Sequence, residues 1–173
     1  MLNALRRAAE TKKAAEQLHA RIVARARDPR FYAGLQVPDT VDGRFDLVVL
    51  HAWLVLDALR KRNMRPLAQR LTDALFGGFD EGLREQGAGD IGMWRRMKKI
   101  ADAFYGRLQA YTAAADEAAL AEAIRRNVFR GQPQRADAAA SLARYGRAAQ
   151  SCLLSADLAK GETDFGSLPE GHP

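Results

Sequence analysis

Cysteine is almost missing from this chain. Cys152 is the only one, so no intrachain disulfide can form, and a reducing, cytosolic type of compartment is expected. No apolar run reaches the roughly 18 residues of a bilayer span. The first residues, MLNALRRAAETKKAAE, lack the continuous apolar core of a secretory signal, so none is expected. Histidine is scarce as well, with three at positions 19, 51 and 172. The spacing of a zinc site does not occur, nor does a nucleophile elbow. GLREQGAGDIG has glycines but lacks the lysine and serine or threonine that close a Walker loop. The acidic pairs Asp80–Glu81 and Asp116–Glu117 are adjacent, so they diverge around a helix instead of facing one another. Together these shortages argue against an enzyme, and neither a cofactor nor a metal is expected.

What remains is a helix-forming composition. Alanine, leucine and arginine dominate, and β-branched residues are sparse outside residues 47–55. A chain of 173 residues is most simply one domain, long enough to bury roughly two thirds of its unfolded surface. Its net charge is +6. Residues 1–30 carry eight Lys/Arg against three acids, so nearly all of the excess lies there. Arg6, Arg7, Lys12, Lys13, Arg21 and Arg25 would attract an anionic partner: ribosomal RNA, a membrane surface or an acidic protein. A merely solvated helix reads equally well.

Glycine and proline clusters divide the chain into about six helices, an all-α bundle with a long extended connector after the first helix. The first helix, about 2–26, has a thin stripe of alanines with Leu2, Leu5, Leu18, Ile22 and Val23, which predicts a peripheral or mobile element. Residues 28–42 read as the connector, pinned by Phe31, Tyr32, Leu35 and Val37. A helix over 43–62 is apolar nearly all round. The next runs from Pro66 to about Arg84 on Leu67, Leu71, Leu75, Phe79 and Leu83, with Gly77 and Gly78 marking a close contact or a break. Asp90 suits the N-cap of a fourth helix, striped by Trp94, Met97, Ala101, Phe104, Leu108 and Tyr111. A fifth, 117–129, uses Leu120, Ile124 and Val128. A sixth, 136–160, uses Leu142, Tyr145, Ala149, Cys152, Ala156 and Ala159, with Gly161 as its stop. Three regions follow: a basic N-terminal helix (1–27), a helical body (28–161) and an irregular tail (162–173).

Two stretches bear on function. VPDTVDGRFDLVVLHAWL (37–54) packs three aspartates and a histidine together, but Asp42, Asp46 and His51 lack a compact ligand spacing. Pro38 and Asp39 read as a turn, Asp42 as the helix cap, Gly43 as part of that start, and His51 as a hydrogen-bonded core histidine. MWRRMKKIADAFYGRLQAY (93–111) puts a basic and an aromatic face on one helix. Arg95, Arg96, Lys98, Lys99, Tyr105 and Arg107 are its candidate partner contacts. Specific DNA binding is not expected, because the aromatics occupy the apolar stripe.

FYAGLQVPDTVDGRFDLVVLHAWLVLDAL, ALFGGFDEGLREQGAGDIGMWRRMKKIADAFYGRLQAY and GETDFGSLP, in that order, resemble the ubiquinol–cytochrome c chaperone family over about residues 18–169. The resemblance implies a helical, non-enzymatic assembly factor for respiratory complex III. It would bind newly made cytochrome b or a complex III intermediate, from a cytoplasmic position peripheral to a bacterial inner membrane. Mitochondrial relatives associate with the ribosome and use a small helper protein, so both are possible partners. Two other functions stay open on the residues alone. One is a basic RNA- or ribosome-binding module unrelated to respiration. The other is a carrier of a quinone-like or isoprenoid molecule, with Trp53, Phe76, Phe104 and Tyr105 lining a deep cavity.

Overall fold

The computed structural model describes residues 1–85 and 90–168. It is all-α, with six longer helices and one single-turn helix: α1 (Leu2–Ala26), α2 (Pro29–Ala33), α3 (Val41–Lys61), α4 (Arg65–Glu85), α5 (Asp90–Ala113), α6 (Glu117–Asn127) and α7 (Ala136–Ser155). Short 3₁₀ turns occupy Pro133–Arg135 and Leu158–Lys160. Among the described residues there is no strand, and no helix is long and apolar enough to cross a membrane.

α3 is the axis of the molecule. LVVLHAWLVL leaves no polar stripe for solvent to claim, so the helix is enclosed by α1, α4, α5 and α7. Leu47, Val49, Leu50, Ala52, Leu54, Val55 and Leu59 are buried in full. α6 folds back on α7, and α1 lies along α4. Gly78 sits where α4 meets α1: a Cβ there would come within 3.0 Å of the His19 ring, whereas one at Gly77 would meet nothing within 4 Å among the described residues. The glycine pair therefore marks a close contact, and α4 runs unbroken through it.

The thin stripe of α1 misleads about its place. Ala14, Ala15, Leu18, Ile22 and Ala26 are all buried, so the second half of the helix is part of the core and not peripheral. Small alanines let it approach α3 and α4 closely, so few large side chains are needed. Only the first turns stand clear, with Leu5 exposed. The connector is also less extended than expected. Asp28 caps the single turn of α2 by accepting the Arg30 N–H, and Pro29 fills the first helical position. Phe31, Leu35 and Val37 are buried and Tyr32 is half-buried.

The last helix ends earlier than its alanine pattern predicts. α7 stops at Ser155, and Leu153 and Leu158, not Cys152 and Ala159, make the buried contacts; Cys152 is half-buried and Ala159 exposed. Gly161 closes the following 3₁₀ turn in the left-handed region at φ 76°, where a side chain would also strike Gln17. The segment after it is irregular, and Phe165 anchors it in the core. Residues 169–173 of the expected tail lie outside the described residues. So do 86–89 and the side chain of Asp90, the expected cap; α5 begins at Asp90.

Candidate functional site

The turn into α3 is set by backbone packing. Thr40, not Asp42, is the N-cap: its Oγ1 accepts the Gly43 N–H at 3.1 Å. Asp42 sits in the first turn, with its side chain 84% exposed. The reason is register. The helix starts at Val41, two residues before the sequence suggested, and Thr, though a weaker cap than Asp in general, stands at the position the helix start requires. Asp39 pairs with Arg44 at 2.7 Å, which holds its carboxyl below the usual range. Gly43 is fixed more firmly still. A Cβ there would lie 1.9 Å from the carbonyl oxygen of Pro38. Gly43→Ala is therefore expected to destabilise the protein by about 1–3 kcal/mol, as overpacking against backbone does. Urea denaturation measures this, and an unchanged midpoint would show that the 38–43 turn yields freely.

One turn further on, Asp46 is wholly buried. Arg107 of α5 donates to its Oδ1 from Nε at 2.8 Å, and the Nη1 of Arg130 lies 2.8 Å from Oδ2. The second contact is an ion pair without hydrogen-bond geometry, so among the described residues Oδ2 has charge compensation but no hydrogen bond. Burial raises the Asp46 carboxyl above its ordinary value, and the two guanidiniums oppose that rise. The Tyr111 hydroxyl, deep in the same region, has no hydrogen-bond partner among the described residues, and burial pushes it well up. Arg107 is thus corrected from a surface contact to an internal one: its side chain is 16% exposed and lies over the Phe45 ring. Nothing in the local sequence around residue 107 announces a partner 61 positions away.

Asp46 holds these arginines beside an open cleft of about 490 Å³. Its floor is Val41, Phe45, Leu83, Ile100 and Ala103; Arg96, Lys99 and Arg107 line it from α5, Arg126 from the last turn of α6 and Arg130 from the turn that follows it. A second trough of about 430 Å³ adjoins it between α1, α3, α4 and α5. Val41, Phe45, Leu83 and Ile100 belong to both. Arg126 and Arg130 were absent from the candidate residues. Both sit outside the basic run, and only the packing of α6 brings them to α5.

The basic run of α5 therefore divides. At 3.6 residues per turn, Arg96, Lys99, Ile100, Ala103 and Arg107 share one flank. Trp94, Lys98, Ala101 and Tyr105 share the opposite flank. Trp94 was expected in the buried stripe but is 71% exposed, and Met93 is buried in its place. Tyr105 is 53% exposed and stacks on Phe76 at 5.8 Å, 23° between planes. Phe76 and Phe104 pack edge to face at 5.3 Å, while Trp53 lies apart against Tyr111. These rings pack against one another. Arg95, Arg96, Lys98 and Lys99 are all exposed, and Lys98 pairs with Asp102 at 3.0 Å.

Of the N-terminal bases, Arg6 and Lys12 pair with Glu10 and Glu16 along the helix, Arg7, Lys13 and Arg21 are exposed, and Arg25 is turned inward. Arg25 donates to the Tyr145 hydroxyl at 3.0 Å and to the Gly166 carbonyl at 2.7 Å, tying the tail to α1. The chain of donors continues into the core. Tyr145 and His51 Nε2 are 2.9 Å apart, and His51 Nδ1 reaches the Leu47 carbonyl at 2.7 Å. A carbonyl can only accept, so Nδ1 carries the proton and Nε2 accepts from Tyr145. Burial lowers the His51 pKa to about 4, and the Arg25 charge adds to the lowering. His51 is thus a satisfied core histidine. Among the described residues no three His, Cys, Asp or Glu side chains converge as a metal site would require.

The chain resembles known proteins at both sequence and fold level. A family model described as ubiquinol-cytochrome C chaperone matches residues 33–161. The crystal structure of a Cbp3 homolog from Brucella abortus superposes with a TM-score of 0.80 at 38% identity, covering 96% of each chain. No curated protein matches significantly. A match over most of the chain, a shared fold and sequence identity over nearly its whole length agree, and the chain belongs to the ubiquinol-cytochrome C chaperone family.

Proposed function

We propose that this protein is a non-enzymatic chaperone of complex III assembly that holds newly made cytochrome b beside the membrane through the exposed flank of α5. Family membership supports the coarse role, chaperoning in complex III assembly. The observation that carries the finer reading is the stripe of Trp94, Lys98 and Tyr105, exposed on one helix and backed by Phe76. Exposed Trp and Tyr beside cations are the residues that anchor protein interfaces. An aromatic stripe with basic neighbours suits the apolar, membrane-bordering segments of such a client. Arg95 flanks this stripe. Arg96 and Lys99 face the cleft on the other side, and Arg107 supports the body from within.

The test has two parts. Membranes from a strain lacking the protein are expected to lose the reduced-minus-oxidised cytochrome b signal selectively, and complementation is expected to restore it. Normal cytochrome b would sink the reading. Within the complemented strain, the variant Trp94→Ala/Lys98→Glu/Tyr105→Ala is expected to co-purify at least about tenfold less cytochrome b, since each anchor is worth more than about 1 kcal/mol. Undiminished co-purification with a folded variant would move the client elsewhere. Ribosome and helper-protein binding are separate proposals, suggested by the relatives in mitochondria and by the basic start of α1.

A further inference from the structure

We infer that the cleft between α3, α5 and α6, with its adjoining trough, is a binding site for one anionic phospholipid molecule. The headgroup phosphate sits among Arg96, Lys99, Arg126 and Arg130, and an acyl chain runs along the trough. Four observations converge on it.

The cleft carries a charge its own acids do not balance. Five cations line it, against the exposed Asp42 and the buried Asp46 behind it. Among the described residues neither Arg96 nor Lys99 has an ion-pair partner. Arg126 only grazes Glu122 at 3.7 Å, because Arg125 holds that carboxylate at 2.8 Å. Phosphate oxygens match such a convergence of guanidinium and ammonium groups.

The cationic group is preorganised. Asp46 fixes two of the guanidiniums. Arg130 also has a backbone φ of 53°, in the left-handed region that a non-glycine residue enters only at a cost. Its carbonyl-directed side chain reaches back to Asn127, and Gly131 follows at φ 76°. The strained turn carries Arg130 to the cleft.

The cationic rails are short. Arg96 and Lys99 are one turn apart on α5, while Arg126 lies in the last turn of α6 and Arg130 in the tight turn just beyond it. One turn spans about 5–6 Å between neighbouring side chains. That accommodates one compact anionic group and is too short to pair with a whole acidic helix. Beyond it, Val41, Phe45, Leu83 and Ile100 lead directly into the trough. There no cationic excess remains: Arg27 and Arg44 line the trough with Glu81 and Glu85, and Asp39 already pairs with Arg44. A ligand with one anionic head and an uncharged apolar body fits this sequence of environments. Each half has the size of an ordinary ligand site, roughly 300–1,000 Å³.

The site goes beyond the client reading and fails separately from it, because the client stripe lies on the other flank of α5. The full chain is tested with vesicles of phosphatidylcholine containing one third phosphatidylglycerol, and with soluble short-chain phosphatidylglycerol in native mass spectrometry. Lys99→Glu/Arg126→Glu is expected to lose at least about tenfold in affinity for both. Arg95→Glu/Lys98→Glu carries the same charge change outside the site and is expected to lose no more than about threefold. Leu83→Gln, which leaves the charge intact, is expected to weaken short-chain lipid binding at one-to-one stoichiometry. Inorganic phosphate in large excess is expected not to displace the lipid. Equal losses in the two charge pairs would reduce the effect to general electrostatics and overturn the site. Displacement by phosphate would make it a plain anion site, with the same result. Lipid binding that is absent in the unaltered protein, with cytochrome b co-purification lost in Lys99→Glu/Arg126→Glu, would assign the cleft to a protein segment instead.

Discussion

Replacing Asp46 by alanine is expected to lower stability by about 3–5 kcal/mol, the cost of removing one partner from a buried ion pair. The loss arises from what is left behind. Arg107 keeps its charge in a place where its side chain is only 16% exposed, with the Ala103 carbonyl as its remaining oxygen partner. Arg130 is 45% exposed and can turn to water, so it contributes less. For a chain of this length each kcal/mol moves the melting temperature by about 2–4 °C, so a fall of roughly 10 °C is expected. The double variant Asp46→Leu/Arg107→Leu is expected to regain most of the loss, because it removes both charges and fills the space with apolar atoms. Urea denaturation at neutral pH checks both. A single-variant cost below about 1 kcal/mol would mean that Arg107 escapes to solvent and that Asp46 does not organise the cleft.

The second large effect is a stability loss in acid. His51 has a pKa of about 4 when folded, against the ordinary 6.5. Between those values the unfolded chain binds a proton that the folded one refuses, so stability rises with pH there. The contribution is fully present above pH 6.5, falls away as pH drops toward 4, and reaches about 3 kcal/mol at 1.36 kcal/mol per pH unit. Below pH 4 this group adds no further loss. Protonation is opposed because the imidazolium would be dry and would lose the hydrogen bond from Tyr145, whose hydroxyl is held near Arg25. Asp46 works in the opposite sense, since a carboxyl raised on folding costs stability as pH rises through its titration. The His51 share is therefore read as a difference between the unaltered protein and His51→Gln. The variant's unfolding free energy is expected to vary less between pH 7 and pH 4, by about 3 kcal/mol. Equal slopes would show that His51 takes up its proton in the folded state.

Much of the architecture was legible because helix formation is local. Periodicity over α4 and α6 named Leu67, Leu71, Leu75, Leu120 and Ile124, all buried in the fold. The LVVLHAWLVL run announced a central helix, since a segment without a polar face has nowhere to go but inside. His51 inside that run pointed to a core role, and its two hydrogen bonds confirm it. The cap was less legible, because Asp42 is the stronger cap residue by type, yet the packing of Gly43 on Pro38 makes Thr40 the cap. α1 was misplaced for a related reason. Alanine stripes are weak as a sequence signal, yet they allow the closest helix packing.

By itself, the sequence determined a helical body without the residue constellations of catalysis, a basic first segment, and a membership that rests on long ordered stretches of residues. These follow from composition, local spacing and likeness, which need no folded chain. Only the tertiary structure decided what the basic run of α5 does. Helical spacing puts Arg96 and Lys99 on one flank and Trp94, Lys98 and Tyr105 on the other, but packing decided that the first flank borders a cleft. Arg107 turned inward to an aspartate 61 positions earlier, and Arg126 of α6 and Arg130 of the turn after it arrived to complete the cleft. Charge placed along a sequence fixes how much attraction a segment has. Burial and the packing of distant helices fix where that attraction points, and neither is encoded in the spacing of one helix.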